Sequence, residues 1–150
     1  MDISEQKRLE AQIQKTQKME AMKTLIAGNE RILFVDDEKS IVKIASYALR
    51  SLGYKVESTT SPVEALNLFR SKPDQFDLVI TDLTMPELTG DKLAEEILKI
   101  RPGMPIIFST GFSENINREK AEEIGAAGYL EKPYNKRELT RLVRKVLGEK

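Results

Sequence analysis

The chain has 150 residues, is 40% hydrophobic and 32% charged, and balances 24 Lys+Arg against 24 Asp+Glu, which suits one globular domain with a small appendage. Zero net charge offers no general surface for nucleic acid, and the absence of cysteine removes disulfide frameworks and thiolate sites, as suits a reducing cytoplasm. The absence of histidine removes the commonest general base, the commonest zinc ligand and any phosphohistidine, and no apolar run approaches the ~20 residues of a membrane span.

Residues 1–28 form a first unit. The stretch "SEQKRLEAQIQKTQKMEAMKTLIAG" is rich in Glu, Gln, Lys and Ala, lacks Pro, and predicts one helix stopping at Gly28. Leu9, Ile13, Met19, Met22 and Ile26 lie roughly on one side, but Thr16 and Lys23 interrupt a heptad seam. Such an arm suits a solvated segment as well as a partner helix or a homodimer contact. Its polar character argues against a secretory signal.

Residues 29–150 alternate in pattern. "RILFV" is a short apolar run followed by a helical pattern over 38–52, closed by Gly53. "YKVEST" alternates as a strand. "SPVEALNLFRS" predicts a helix with Ser61 as N-cap and Pro62 in its first turn. "FDLVI" is apolar, "TGDKLAEEILKI" helical until Pro102 and Gly103, and "MPIIFS" apolar again. "SENINREKAEEIG" predicts a helix ending at Gly125, "AGYLE" a last strand and "NKRELTRLVRKVL" a last helix. Five β–α units in a row predict an α/β fold, a doubly wound parallel sheet covered on both faces.

In such a sheet, ligands sit beyond the carboxyl ends of the strands, at the switch point between the first and third. Asp36 and Asp37 follow the first apolar run, Thr81 and Asp82 the third, Ser109 and Thr110 the fourth, and Glu131, Lys132 and Pro133 the fifth. Three carboxylates, a hydroxyl and an ammonium are thus expected to converge. Crowded carboxylates repel, and at neutral pH they protonate or bind a cation. An oxygen-only donor set points to Mg²⁺, or else Mn²⁺. With such an ion, Asp82 is a carboxylate nucleophile for an activated phosphorus, Lys132 a point charge and Thr110 a donor for its oxygens. Each residue alone also has an ordinary role. Asp36 or Asp37 can cap the next helix, Asp82 can hold a turn, Thr110 can reflect strand preference and Lys132 can be solvated. Their joint placement at equivalent strand ends is what favours a site.

"ILFVDDE", "DLVITDLTMPELTG", "PIIFSTGF" and "GYLEKPY" together resemble the receiver domain of bacterial two-component response regulators, over about residues 30 to 148. The resemblance implies a flavodoxin-like five-stranded sheet of order 2-1-3-4-5 and phosphorylation by a phosphohistidine donor, either a histidine kinase or a histidine phosphotransfer protein. It implies that Asp82 is the phospho-acceptor and that Asp36, Asp37, Asp82 and the backbone carbonyl of Thr84 hold Mg²⁺. Thr110 and Tyr129 are the implied switch residues, Lys132 the implied phosphoryl partner, and the Lys132–Pro133 bond is often cis in the family. Gly111 and Phe112 depart from the commoner pattern, and Phe112 is expected to shield an acyl phosphate from water. The arm resembles the dimerisation segment that leads into the histidine helix of hybrid sensor kinases, here with Arg31 near the histidine's place.

The expected function is therefore a cytoplasmic phosphorelay receiver that is not a turnover enzyme, carries no output domain and signals by binding a downstream protein, with neither nucleic acid nor membrane as direct partner. The apolar residues Ile41, Ile44 and Ala48 of its first helix suit either core or kinase docking. Three other readings compete. A Mg²⁺ phosphohydrolase would want an acid two residues beyond Asp82, where Thr84 stands. A flavin-binding protein would want a glycine- and hydroxyl-rich loop where "DDEKS" stands. An interaction protein would act through the arm.

Overall fold

In the computed structural model, the described residues are 29–111, 119 and 122–148. The arm over 1–28, Phe112 and most of the helix expected from Ser113 onward lie outside them.

Each apolar run becomes a strand. β1 is Arg31–Val35, β2 Lys55–Thr59, β3 Leu78–Asp82, β4 Ile106–Thr110 and β5 Gly128–Glu131. All pair in parallel, in the order β2-β1-β3-β4-β5. The expected topology is thereby found, with β1 and β3 adjacent at the centre.

Successive side chains of a strand point to opposite faces, so a sheet covered on both sides calls for unbroken apolar runs. Leu33 and Val35 enter one core with Phe69, Val79, Ile97 and Phe108. Ile32 and Phe34 enter the other with Leu49, Ile80, Leu139 and Val143. Helices α2 (Pro62–Ser71) and α3 (Gly90–Ile100) cover the first face; α1 (Lys39–Ser51) and α4 (Lys136–Leu147) cover the second.

Local chemistry sets the ends. Ser61 caps α2 by accepting from the Glu64 amide at 3.1 Å, with Pro62 in the first turn. Asn135 caps α4 by accepting from the Glu138 amide at 2.8 Å. Gly53, just past α1, has φ of 100°, a left-handed value that only glycine adopts without strain.

Two boundaries moved from expectation, and both bear on the site. Asp82 and Thr110 are the last residues of β3 and β4 rather than the first residues beyond them. Parallel pairing continues two residues further than hydrophobicity does, with Asp82 opposite Ser109 and Thr110 opposite Glu131. The ladder therefore fixes the backbone of both residues.

Candidate functional site

The register brings the strand ends level. Val35 pairs with Thr81, so Asp36 leaves β1 beside Asp82 at the end of β3. The Lys132 amide donates to the Thr110 carbonyl at 2.7 Å, which ties the segment after β5 to the end of β4. The Lys132–Pro133 bond is cis, as the resemblance implied.

Asp36 is fully buried and Asp82 3% exposed, while Asp37 faces solvent. One oxygen from each of Asp36, Asp37 and Asp82 lies within 4.8 Å of the others. The Lys132 ammonium sits between the two buried members, 3.0 Å from Asp36 Oδ2 and 3.3 Å from Asp82 Oδ2. Asp36 Oδ1 accepts from the Glu38 amide at 2.9 Å. Asp36 therefore braces the loop ahead of α1 and does not cap the helix, whose N-cap is Glu38, with no side-chain bond.

The electrostatics follow from burial. Desolvation raises the Asp36 carboxyl above its ordinary range, and Asp37 adds to this; the Glu38 amide and Lys132 only partly oppose it. Burial alone would lower Lys132, but the hydrogen bond and charge of Asp36, and then Asp82, outweigh it and hold the ammonium above its usual value. Three carboxylates against one ammonium leave two negative charges in a site with a single exposed member. A divalent cation with hard oxygen preference fits this donor set, entering from the Asp37 side.

Thr110 is 4% exposed at the end of β4. Tyr129 is half-buried on β5, its ring 6.4 Å from that of Phe108 and inclined by 26°. Thr84 is exposed in the loop two residues past Asp82. The structure thus assembles Asp36, Asp37, Asp82 and Lys132 directly, with Thr110 joined through the backbone.

Two residues of the site escaped sequence reasoning. A Cβ built on Gly90 would lie 2.0 Å from the Asp82 carbonyl oxygen, so the β3–α3 loop closes under Asp82 only because this position is glycine. The Gly90 amide donates to the Leu83 carbonyl at 2.8 Å, which seals the loop. The available signal was a glycine opening a helix, where propensity gives it no purpose. Tyr134 is the other. Its buried hydroxyl has no hydrogen-bond partner among the described residues. Burial, and then Asp36, Asp82 and Glu38, hold that phenol far above its ordinary range. In sequence it read only as the residue after a lysine–proline pair.

The family model for the response regulator receiver domain matches residues 32–144. Among curated proteins, the chain is 30% identical over 145 residues to the sensor kinase CckA of Brucella abortus (strain 2308), which covers 97% of this chain and 15% of the kinase. It is 32% identical to the alkaline phosphatase synthesis transcriptional regulatory protein PhoP of Bacillus subtilis (strain 168), over 79% of this chain and 49% of that one. The chain thus spans less than half the length of either relative. Among solved structures, a response regulator receiver domain protein from Clostridium thermocellum superposes with a TM-score of 0.75 at 34% identity, covering 79% of this chain and 94% of that one. The chemotaxis protein CheY4 of Vibrio cholerae gives a TM-score of 0.73 at 29% identity, covering 79% and 98%.

Proposed function

Because this chain belongs to the response regulator receiver domains of two-component signalling, we propose that it accepts a phosphoryl group on Asp82 from a phosphohistidine donor, a histidine kinase or a histidine phosphotransfer protein. The observation that carries this reading is the meeting of Asp36, Asp37 and Asp82 oxygens within 4.8 Å, with the Lys132 ammonium 3.3 Å from Asp82.

Asp36, Asp37 and Asp82 would hold Mg²⁺, joined by the backbone carbonyl of Thr84. When bound, the ion offsets the site's two negative charges and the growing charge on the phosphoryl oxygens. An Asp82 carboxylate oxygen attacks phosphorus, and an O–P bond forms as the donor's P–N bond breaks. The bonding pair stays on the imidazole nitrogen, which takes a proton from solvent. A carboxylate nucleophile carries no proton to remove, so no general base is required, which agrees with a chain that lacks histidine. Lys132 then pairs with a phosphoryl oxygen and Thr110 donates its hydroxyl to another. That pull at the end of β4 favours a new Tyr129 rotamer, and a partner protein that prefers one of the two states reads it. The protein is a phosphoryl acceptor rather than a turnover hydrolase. Thr84, not an acid, occupies the position two residues beyond the nucleophile.

Intact-mass measurement after incubation with a small acyl or amido phosphate and Mg²⁺ tests the reading. The wild type should gain one phosphoryl group, Asp82→Asn none, and chelator should suppress the gain. Equal uptake by Asp82→Asn, or none by the wild type, refutes it.

A further inference from the structure

The charge of this neutral chain is unevenly spread. Helices α1 and α4 cover the same face of the sheet and share a core through Ala45, Leu49, Leu139 and Val143. α1 contains no carboxylate and α4 only Glu138. Their exposed cations form two rows. Lys39, Lys43 and Arg50 share one flank of α1, being about one and about three turns apart. The Arg50 guanidinium donates to the Val56 carbonyl at 2.8 Å, which turns that flank toward β2 and away from α4. Arg137, Arg141 and Lys145 follow one another at steps of four along the outer side of α4. Among the described residues, none of these side chains has a carboxylate within ion-pair distance. The other face of the sheet differs: Arg70 lies 3.7 Å from Glu96, Lys99 3.1 Å from Glu96 and Lys72 3.1 Å from Glu57. Like charges four residues apart weaken a helix, so the α4 row does not serve α4 itself. Between the rows stand Ile44 and Tyr47, 72% and 76% exposed. Ile44 borders a cavity with Pro133 and Tyr134, just ahead of α4, so it lies on the side of α1 that looks toward α4. Tyr47, four residues from Lys43 and three from Ile44, stands on the crest between them.

We propose that this face docks on the surface of an anionic lipid bilayer, with its two basic rows on the headgroups and Ile44 and Tyr47 in the interface between them. The contact is peripheral, since no described helix is long and apolar enough to cross a membrane. Uncompensated positive charge sets the class of partner as anionic, and the layout of the face selects the bilayer within that class.

Neighbouring helix axes stand ~10 Å apart, so the far flank of α1 and the outer side of α4 are separated by more than the ~10–12 Å width of a single helix. An acidic helix of a partner protein therefore reaches one row or the other, whereas a plane of headgroups reaches both. A nucleic acid offers phosphate to both rows but gives a protruding isoleucine nothing apolar to enter. At a bilayer, tyrosine settles at the level of the headgroups and isoleucine reaches the acyl boundary. Each Lys or Arg held near an anionic bilayer strengthens binding by roughly fivefold, so two rows need little help from two apolar side chains. Net charge over a whole chain does not describe a single face, which is why sequence alone led to the expectation of no membrane partner. The proposal does not depend on phosphoryl transfer at Asp82.

Flotation of the full chain with lipid vesicles, at low and at physiological ionic strength, tests this. The expected result is binding to phosphatidylcholine vesicles that contain phosphatidylserine, none to phosphatidylcholine alone, and release by added salt. Lys43→Glu combined with Arg141→Glu, one from each row, should weaken binding by about tenfold or more. Lys92→Glu combined with Lys99→Glu on α3 makes the same change in net charge on the other face and should leave binding nearly unchanged. Equal binding to both kinds of vesicle, binding to neither, or equal loss in the two double variants overturns the proposal. Capture by duplex DNA in the same buffer without capture by anionic vesicles identifies a nucleic-acid face and overturns it as well. A second measurement needs no charge reversal. The wild type has no tryptophan, so Tyr47→Trp and Val63→Trp each carry a single fluorophore. With anionic vesicles, the emission of Tyr47→Trp should shift to the blue and lose access to an aqueous quencher, while that of Val63→Trp, on α2 across the sheet, should not. Equal responses at the two positions, or none at position 47, contradict it.

Discussion

At the scale of single residues, Lys132 is the counter-charge that makes two buried carboxylates tolerable. Replacing one member of a buried ion pair leaves the others uncompensated, at a cost of about 3 to 5 kcal/mol. Lys132→Met is therefore expected to lower stability by about that amount at pH 7 without Mg²⁺, read by denaturant unfolding. A loss below about 1 kcal/mol would mean that water already serves the site. Tyr134 gives the opposite sign. Its buried hydroxyl has no partner among the described residues, so Tyr134→Phe should raise stability by about 1 kcal/mol. The pH dependence has a definite direction. The phenol's folded pKa is raised, so its stabilising share is complete below the unfolded value of about 10 and fades as pH climbs beyond it. The wild type should lose stability more steeply above pH 10 than Tyr134→Phe does, in thermal melts across that range. Asp36, Asp37, Asp82 and Lys132 were legible in sequence because charge beside an apolar run is conspicuous. Tyr134 was not, since an aromatic residue after proline carries no sign of which way its hydroxyl points.

At the scale of elements, the β3–α3 loop decides whether Asp82 is presented correctly. The loop turns tightly at Glu87, whose φ is 73°, with the Leu88 amide bonded to the Pro86 carbonyl at 2.8 Å. It then closes against Asp82 at Gly90. Gly90→Ala puts a methyl group against backbone, which cannot swing aside as a side chain would. The expected loss is about 3 kcal/mol or more, together with slower phosphoryl uptake even where the variant stays folded, measured by unfolding and by intact mass. Ser61→Ala makes a contrasting control. It removes the α2 cap at a cost of about 1 kcal/mol and should leave uptake unchanged, because α2 contributes no residue to the acidic cluster. The helix start at Ser61 was legible because capping is local chemistry. The ends of β3 and β4 were not, since their last residues are polar and are held in the ladder by neighbouring strands that no local window includes.

At the scale of the whole molecule, a parallel sheet gathers residues from positions 36, 82, 110 and 132 to one edge, and the alternation of strands and helices was enough to foresee it. The strand order was carried by resemblance rather than by pattern, because alternation alone does not say which strands are neighbours. A cation shared between β1 and β3 should tie the sheet's centre together. With Mg²⁺ at a hundredfold excess over its Kd, stability should rise by roughly 2.7 kcal/mol, and the melting temperature of the wild type should increase while that of Asp36→Asn does not. The most direct test of the account traps the product itself. After phosphorylation in Mg²⁺, borohydride reduces an acyl phosphate to an alcohol, and peptide mapping locates the altered residue. Reduction at position 82 alone is the predicted result. Reduction at Asp36 or Asp37 instead, or at no aspartate in protein that has gained phosphoryl mass, would contradict the assignment of the nucleophile.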